Sequence, residues 1–116
     1  MSIKSRTVNN GRIAIIELKG TLIGDEETDK FRSDVDDFIE QGNKCLVIDL
    51  HKLNYMNSSG IGAIISAQTG YTKNNGQVKL VGASQNIQNL LVVTKLIELL
   101  DVYDNLADAI ASFRKA

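Results

Sequence analysis

The stretch Leu46-Val47-Ile48-Asp49-Leu50-His51-Lys52-Leu53-Asn54-Tyr55-Met56-Asn57-Ser58-Ser59-Gly60-Ile61-Gly62 decides how the chain is read. Its opening, with Cys45 before it, is a continuous apolar run. That is the pattern of a strand covered on both faces of a parallel sheet, so a central strand is expected over 44–50. A loop over 51–57 should then deliver two hydroxyls, Ser58 and Ser59, to the start of a helix. This helix is expected to end near Tyr71, with Ile61, Ile64, Ile65 and Gln68 on one side. The first N–H groups of a helix lack intrahelical partners and carry the positive end of its dipole. An anion attached at Ser58, such as a phosphate, is therefore favoured by a few tenths to about 2 kcal/mol. Gly60 and Gly62 occupy the first turns although each glycine costs about 0.8–1.0 kcal/mol there relative to alanine. Close approach of another surface accounts for them, and so does tight helix-to-sheet packing with Ser58 as a plain N-cap.

Working outward, segments 3–8 and 12–18 read as strands joined through Asn9-Asn10-Gly11, residues that tolerate positive φ, which predicts a hairpin. From Asp25 to Gln41 the spacing of Phe31, Val35, Phe38 and Ile39 predicts an amphipathic helix, with Asp25 as its cap, Gly42 as its stop and its acidic residues on the solvated face. Beyond the turn Asn74-Asn75-Gly76, a strand is expected over 78–81. Ser84 then caps a helix with Ile87, Leu90, Leu91 and Thr94 as its stripe. An edge strand near 99–103 and a terminal helix, capped by Asp104 with Leu106, Ala109, Ile110 and Phe113 inward, complete the reading. Alternating strands and helices imply an α/β fold: a mixed, mainly parallel sheet of four to five strands with about four helices, one domain over 1–116.

With 43% hydrophobic and 23% charged residues in 116, the chain can fold without disulfides or a structural metal. Net charge is −1 and the cations are scattered, so direct nucleic-acid binding is not expected. No run approaches the ~20 apolar residues that span a bilayer, and the amino end lacks a signal-peptide pattern, so membrane insertion is not expected and the cytoplasm is the expected compartment. Cys45, the sole cysteine, reads as a small core residue. His51, the sole histidine, reads as a loop residue. With no second base or ligand set, neither a serine hydrolase nor a metal site is supported, and no enzymatic activity or cofactor is expected. Gly60-Ile61-Gly62 falls short of a dinucleotide fingerprint.

From Leu46 to Gly62 the chain resembles the STAS family, named for sulphate transporters and anti-sigma-factor antagonists. The family signature is a strand ending in Asp-Leu, a loop with an aromatic residue, then Asp-Ser-Ser/Thr-Gly-Leu-Gly. Asp49-Leu50, Tyr55 and Asn57-Ser58-Ser59-Gly60-Ile61-Gly62 match it in order, and Gly20-Thr21-Leu22 falls where the family has its second strand end. Two positions depart from the pattern: Asn57 replaces an aspartate, and Ile23 follows Leu22 where an aspartate is usual, the nearest being Asp25. The resemblance implies a STAS-like domain that works by partner switching. Ser58 would be phosphorylated by an anti-sigma factor with kinase activity, Asn57, Ser59, Gly60, Ile61 and Gly62 would meet that partner, and a phosphatase would reset the switch. The same fold also serves non-switching interaction modules, either stress-signalling scaffold subunits or cytoplasmic accessories of lipid transporters. The sequence favours neither a monomer nor an oligomer.

Overall fold

The computed structural model describes residues 2–113. Asn9, Asn10 and Gly11 all adopt positive φ (54°, 58° and 83°). They fold β1 (Ser2–Val8) back onto β2 (Ile13–Leu22) as an antiparallel hairpin. Each later strand lies parallel to its predecessor: β3 (Cys45–Met56), β4 (Gln77–Val81) and β5 (Asp101–Tyr103). The spatial order of the five strands is their sequence order. The crossovers are α1 (Glu26–Glu40), α2 (Ser58–Lys73) and α3 (Gln85–Val93). A 3-10 turn (Leu96–Glu98) leads into β5, and α4 (Leu106–Ser112) follows it. This is the expected α/β architecture.

Strand alternation feeds two unequal cores. Ile16, Leu46, Ile48 and Leu80 pack beneath α1, α2 and α3 with Phe31, Ile64 and Leu91. On the other face Ile13, Ile15, Val47 and Val81 meet only Ala109 and Phe113 among the buried residues of α4 and its cap. Because β3 is covered on both sides, its apolar run is continuous, as the sequence implied. Lys79 also lies on the α4 side. Its ammonium is 3.0 Å from Asp101 Oδ2 and sits above the rings of Tyr103 and Phe113. Burial works to lower its pKa, but the Asp101 carboxylate and the Tyr103 hydroxyl outweigh that and hold it above the ordinary lysine value.

Several boundaries differ from expectation. Residues 51–56 are not a loop: β3 runs on to Met56, paired with an equally extended β2 through Lys19–Lys52, Gly20–Leu53 and Leu22–Met56. Register shifts between Glu17 and Lys19 and between Gly20 and Thr21 insert extra residues in β3. The buried positions Leu50, Leu53 and Met56 are therefore spaced by three rather than two, which hid the strand from an alternation test. His51 accordingly lies in a strand. Helix α2 passes Tyr71 to Lys73, and it buries Gly60, Ala63, Ile64, Ala67 and Tyr71 while Ile65 faces outward. Thr94 is the C-cap of α3 rather than part of its stripe. Asn105, not Asp104, caps α4, its side chain accepting from the Asp108 N–H. Cys45 is only half-buried, at the rim of the α4-side core, and burial pushes its thiol pKa up.

At the end of the sheet where the parallel strands begin, Asn43 ties three elements together. Its Nδ2 donates to the Arg12 carbonyl at 3.1 Å, and its Oδ1 accepts from the Cys45 N–H at 3.2 Å and from the Tyr71 hydroxyl at 2.8 Å. Burial drives the Tyr71 phenol pKa far up, so it stays a donor. Tyr71→Phe is expected to lower unfolding free energy by about 1 kcal/mol and Asn43→Ala by about 2–3 kcal/mol in urea titrations, because the second change strands several partners at once.

Candidate partner-binding site at the start of helix α2

The ends of β2 and β3 lie side by side, so the chain leaving β2 at Leu22 passes directly under the start of α2. The Asn57 N–H donates to the Leu22 carbonyl at 3.2 Å, and its side-chain Nδ2 donates to the Ile23 carbonyl at 3.0 Å. Its Oδ1 accepts from the Gly60 N–H at 3.1 Å. Asn57 is therefore the N-cap of α2, and Ser58 is the first helical residue. The expectation that Ser58 caps the helix is corrected: two capping residue types are adjacent here, and the one in extended conformation, held by the Leu22 and Ile23 carbonyls, takes the role.

Gly60 is buried, and a β-carbon on it would collide with the Leu22 carbonyl oxygen and approach Met56 Cβ to 3.0 Å. Its need for glycine is thus internal to the fold. Gly24, at φ +90°, brings its backbone so close to Ser59 that a β-carbon would lie 2.8 Å from Ser59 Cβ. Gly62 differs: the nearest atom to a β-carbon there is Arg32 Nη2 at 3.7 Å, an ordinary contact. Arg32 reaches across from α1 and its Nη1 donates to Ser66 Oγ at 3.0 Å. Ile61 is half-buried against the main core.

With Gly60 turned inward, Ser58 and Ser59 are exposed. No charged residue occurs between Leu53 and Thr72, so charge reaches the serine pair from the dipole of α2 and from α1, through its acidic start (Glu26, Glu27, Asp29) and through Arg32, whose guanidinium lies beside Gly62. Asp25 does not replace the missing aspartate by bonding to the serine turn. It caps α1, accepting from the Thr28 N–H at 3.1 Å, which holds its carboxyl below the usual range. Tyr55, the aromatic residue of the motif, is 51% exposed and lines a 280 Å³ groove with Asn86, Asn89, Leu90 and Val93.

The structure thus brings Asn57, Ser58, Ser59 and Gly60 together with Ile23, noted in the sequence only as a departure from the family pattern, and with Gly24, which sequence reasoning did not place in the site. The signal was the glycine standing just before a helix cap. His51 stays apart: its Nδ1 is 2.8 Å from Asp49 Oδ1, and its ring lies against Gly82. Among the described residues no three or more histidine, cysteine, aspartate or glutamate side chains gather as a metal site would require. No helix among them is long and apolar enough to cross a membrane.

Comparison with known proteins bears on the family and the fold. The profile of the STAS domain family matches residues 4–109. The anti-sigma F factor antagonist of Paenibacillus polymyxa is 26% identical over 113 residues, covering 95% of this chain and 94% of its own. Among solved structures, a Thermotoga maritima protein assigned as an anti-sigma factor antagonist has a TM-score of 0.88 at 20% identity, covering 97% of this chain and 94% of that one. The Bacillus cell fate determinant SpoIIAA in its phosphorylated form has 0.79 at 18% identity, covering 97% and 99%.

The three glycine and serine environments predict different responses. Gly60→Ala should cost about 3 kcal/mol or more, because backbone and not a flexible side chain blocks the methyl. Gly62→Ala should add about 0.5–1 kcal/mol from helix propensity. Ser58→Ala should change stability by no more than about 0.5 kcal/mol, whereas Asn57→Ala should cost about 1–2 kcal/mol. Thermal and urea unfolding of the four variants checks this order.

Proposed function

Because the chain belongs to the STAS domain family, whose profile spans residues 4–109, we propose that it is an anti-sigma-factor antagonist acting in the cytoplasm by partner switching, without catalysis of its own. Unmodified, the exposed Ser58 and Ser59, with half-buried Asn57 and Ile61 and the bare backbone at Gly62, dock an anti-sigma factor that is also a kinase. Phosphorylation of Ser58 ends the contact, and a phosphatase restores it.

The observation that carries this reading is the position of Ser58: exposed, first in α2, and not engaged in capping. Its hydroxyl is free to accept a phosphoryl group without dismantling the helix start. A phosphate adds about −1.5 to −2 charges and three acceptor oxygens, and the adjacent helix terminus tolerates them. The fold is left alone while the docking surface changes from neutral to anionic. Support also comes from SpoIIAA, a protein of the same fold whose phosphorylated form is among the solved relatives.

Incubation with the candidate anti-sigma kinase and ATP, phosphosite mapping by mass spectrometry and calorimetric binding before and after provide the test. The phosphate is expected on Ser58, with Ser58→Asp binding at least about tenfold more weakly than the parent at a nearly unchanged melting temperature, and Ser58→Ala binding constitutively. If Ser58 stays unmodified and Ser58→Asp binds as tightly as the parent, the switch is wrong and a non-switching STAS interaction module takes its place.

A further inference from the structure

Helix α3 (Gln85–Val93) carries no charged residue, and the chain leaving it turns large aliphatic side chains to the surface in close succession. Val92, Val93, Ile97 and Leu99 are 60%, 79%, 42% and 61% exposed, while Leu96 alone points inward, 1% exposed. The reversal that keeps them together is made by Lys95 at φ 62°. The Leu99 carbonyl accepts from Gln68 Nε2 of α2 at 3.0 Å. Ile65, three residues before Gln68 and so on the same side of α2, is 40% exposed. Scattered apolar side chains on a surface need no explanation, but four large ones exposed within eight residues, with a fifth on the helix that is bonded to the Leu99 carbonyl, do.

Lys95 and Glu98 are the only charged residues between 92 and 99, and neither is paired in an ion bridge among the described residues. We propose that this ridge is a twofold interface on which a second copy of the chain packs, Lys95 of each copy facing Glu98 of the other. A twofold interface sets a patch against itself, so a surface dominated by one sign of charge would repel its mate. Here one cation and one anion stand three positions apart beside an apolar centre. Reversing the direction of the ridge across the axis therefore matches opposite charges twice and buries the aliphatic side chains together. A strongly acidic or basic partner would find no such match. This assignment needs no phosphate and no other protein, and it meets the Ser58 site only at Val93, which also lines the groove beside Tyr55.

Sedimentation equilibrium on the purified chain alone, from about 10 μM to about 1 mM, tests it by mass action. The average mass should climb from 12.7 kDa toward twice that value. Val93→Asp should hold the protein at monomer mass while leaving its melting curve intact, because that side chain is 79% exposed. Lys95→Glu and Glu98→Lys should each weaken association about three- to tenfold, and the double reversal should return it to within about twofold of the parent. A protein that stays monomeric at the highest concentration overturns the proposal. So does a dimer indifferent to Val93→Asp, or a double reversal no tighter than the single ones.

Discussion

The Leu22 carbonyl oxygen occupies the space that a side chain at position 60 would need, and the arrangement of the serine turn follows from that one approach. A helix start this close to the end of β2 must present glycine toward the strand. At about 100° per residue, the positions just before that glycine then rotate away from the sheet. Exposure of Ser58 and Ser59 is thus the geometric complement of the burial of Gly60. The same approach brings the Leu22 and Ile23 carbonyls within reach of Asn57, which bonds to one through its main chain and to the other through its amide. Two parallel strand ends, a loop and a helix terminus are thereby fixed to one another through the main chain and the side-chain amide of Asn57.

That rigidity bears on the departure at position 57. Asparagine accepts from the Gly60 N–H and donates to the Ile23 carbonyl at once. An aspartate could do only the first, and its second oxygen would face a carbonyl oxygen. The uncharged residue therefore has a structural reason of its own in this chain. It also leaves the first turn of α2 without an ionised side chain of its own, so that a charge added there would meet only groups borne by other elements, Arg32 among them.

Much of this was legible in the residues, for identifiable reasons. Asn9-Asn10-Gly11 announced the hairpin because few other triplets accept three positive φ angles in succession. The run from Cys45 to Ile48 announced a strand buried on both faces because four apolar residues in succession leave neither face for water. Legibility failed where a choice turned on a single residue or on tertiary pairing. Asn57 and Ser58, like Asp104 and Asn105, are neighbours of equal capping chemistry, and only the carbonyls waiting under Asn57 select it. The extension of β3 to Met56 was hidden because the bulges that permit it are a property of the β2–β3 pair, not of either sequence alone. The part played by Ile23 and Gly24 was hidden too, since their contribution is made by backbone atoms.

The strand order of the sheet has a consequence for how the chain comes to be folded at all. Each strand lies beside its immediate predecessor in the sequence, so no element waits for a partner that has yet to be synthesised. The β1–β2 hairpin closes through a short turn and offers an edge. Each later helix and strand then adds one pairing to an edge that already exists, closing a loop about the length of a single crossover. Because each parallel pairing closes only one crossover, no edge waits for a strand further along the chain than the next one, which shortens the time an unpaired edge stays available for mispairing. On the ribosome the sheet can grow in the direction in which it is translated, by one crossover at a time.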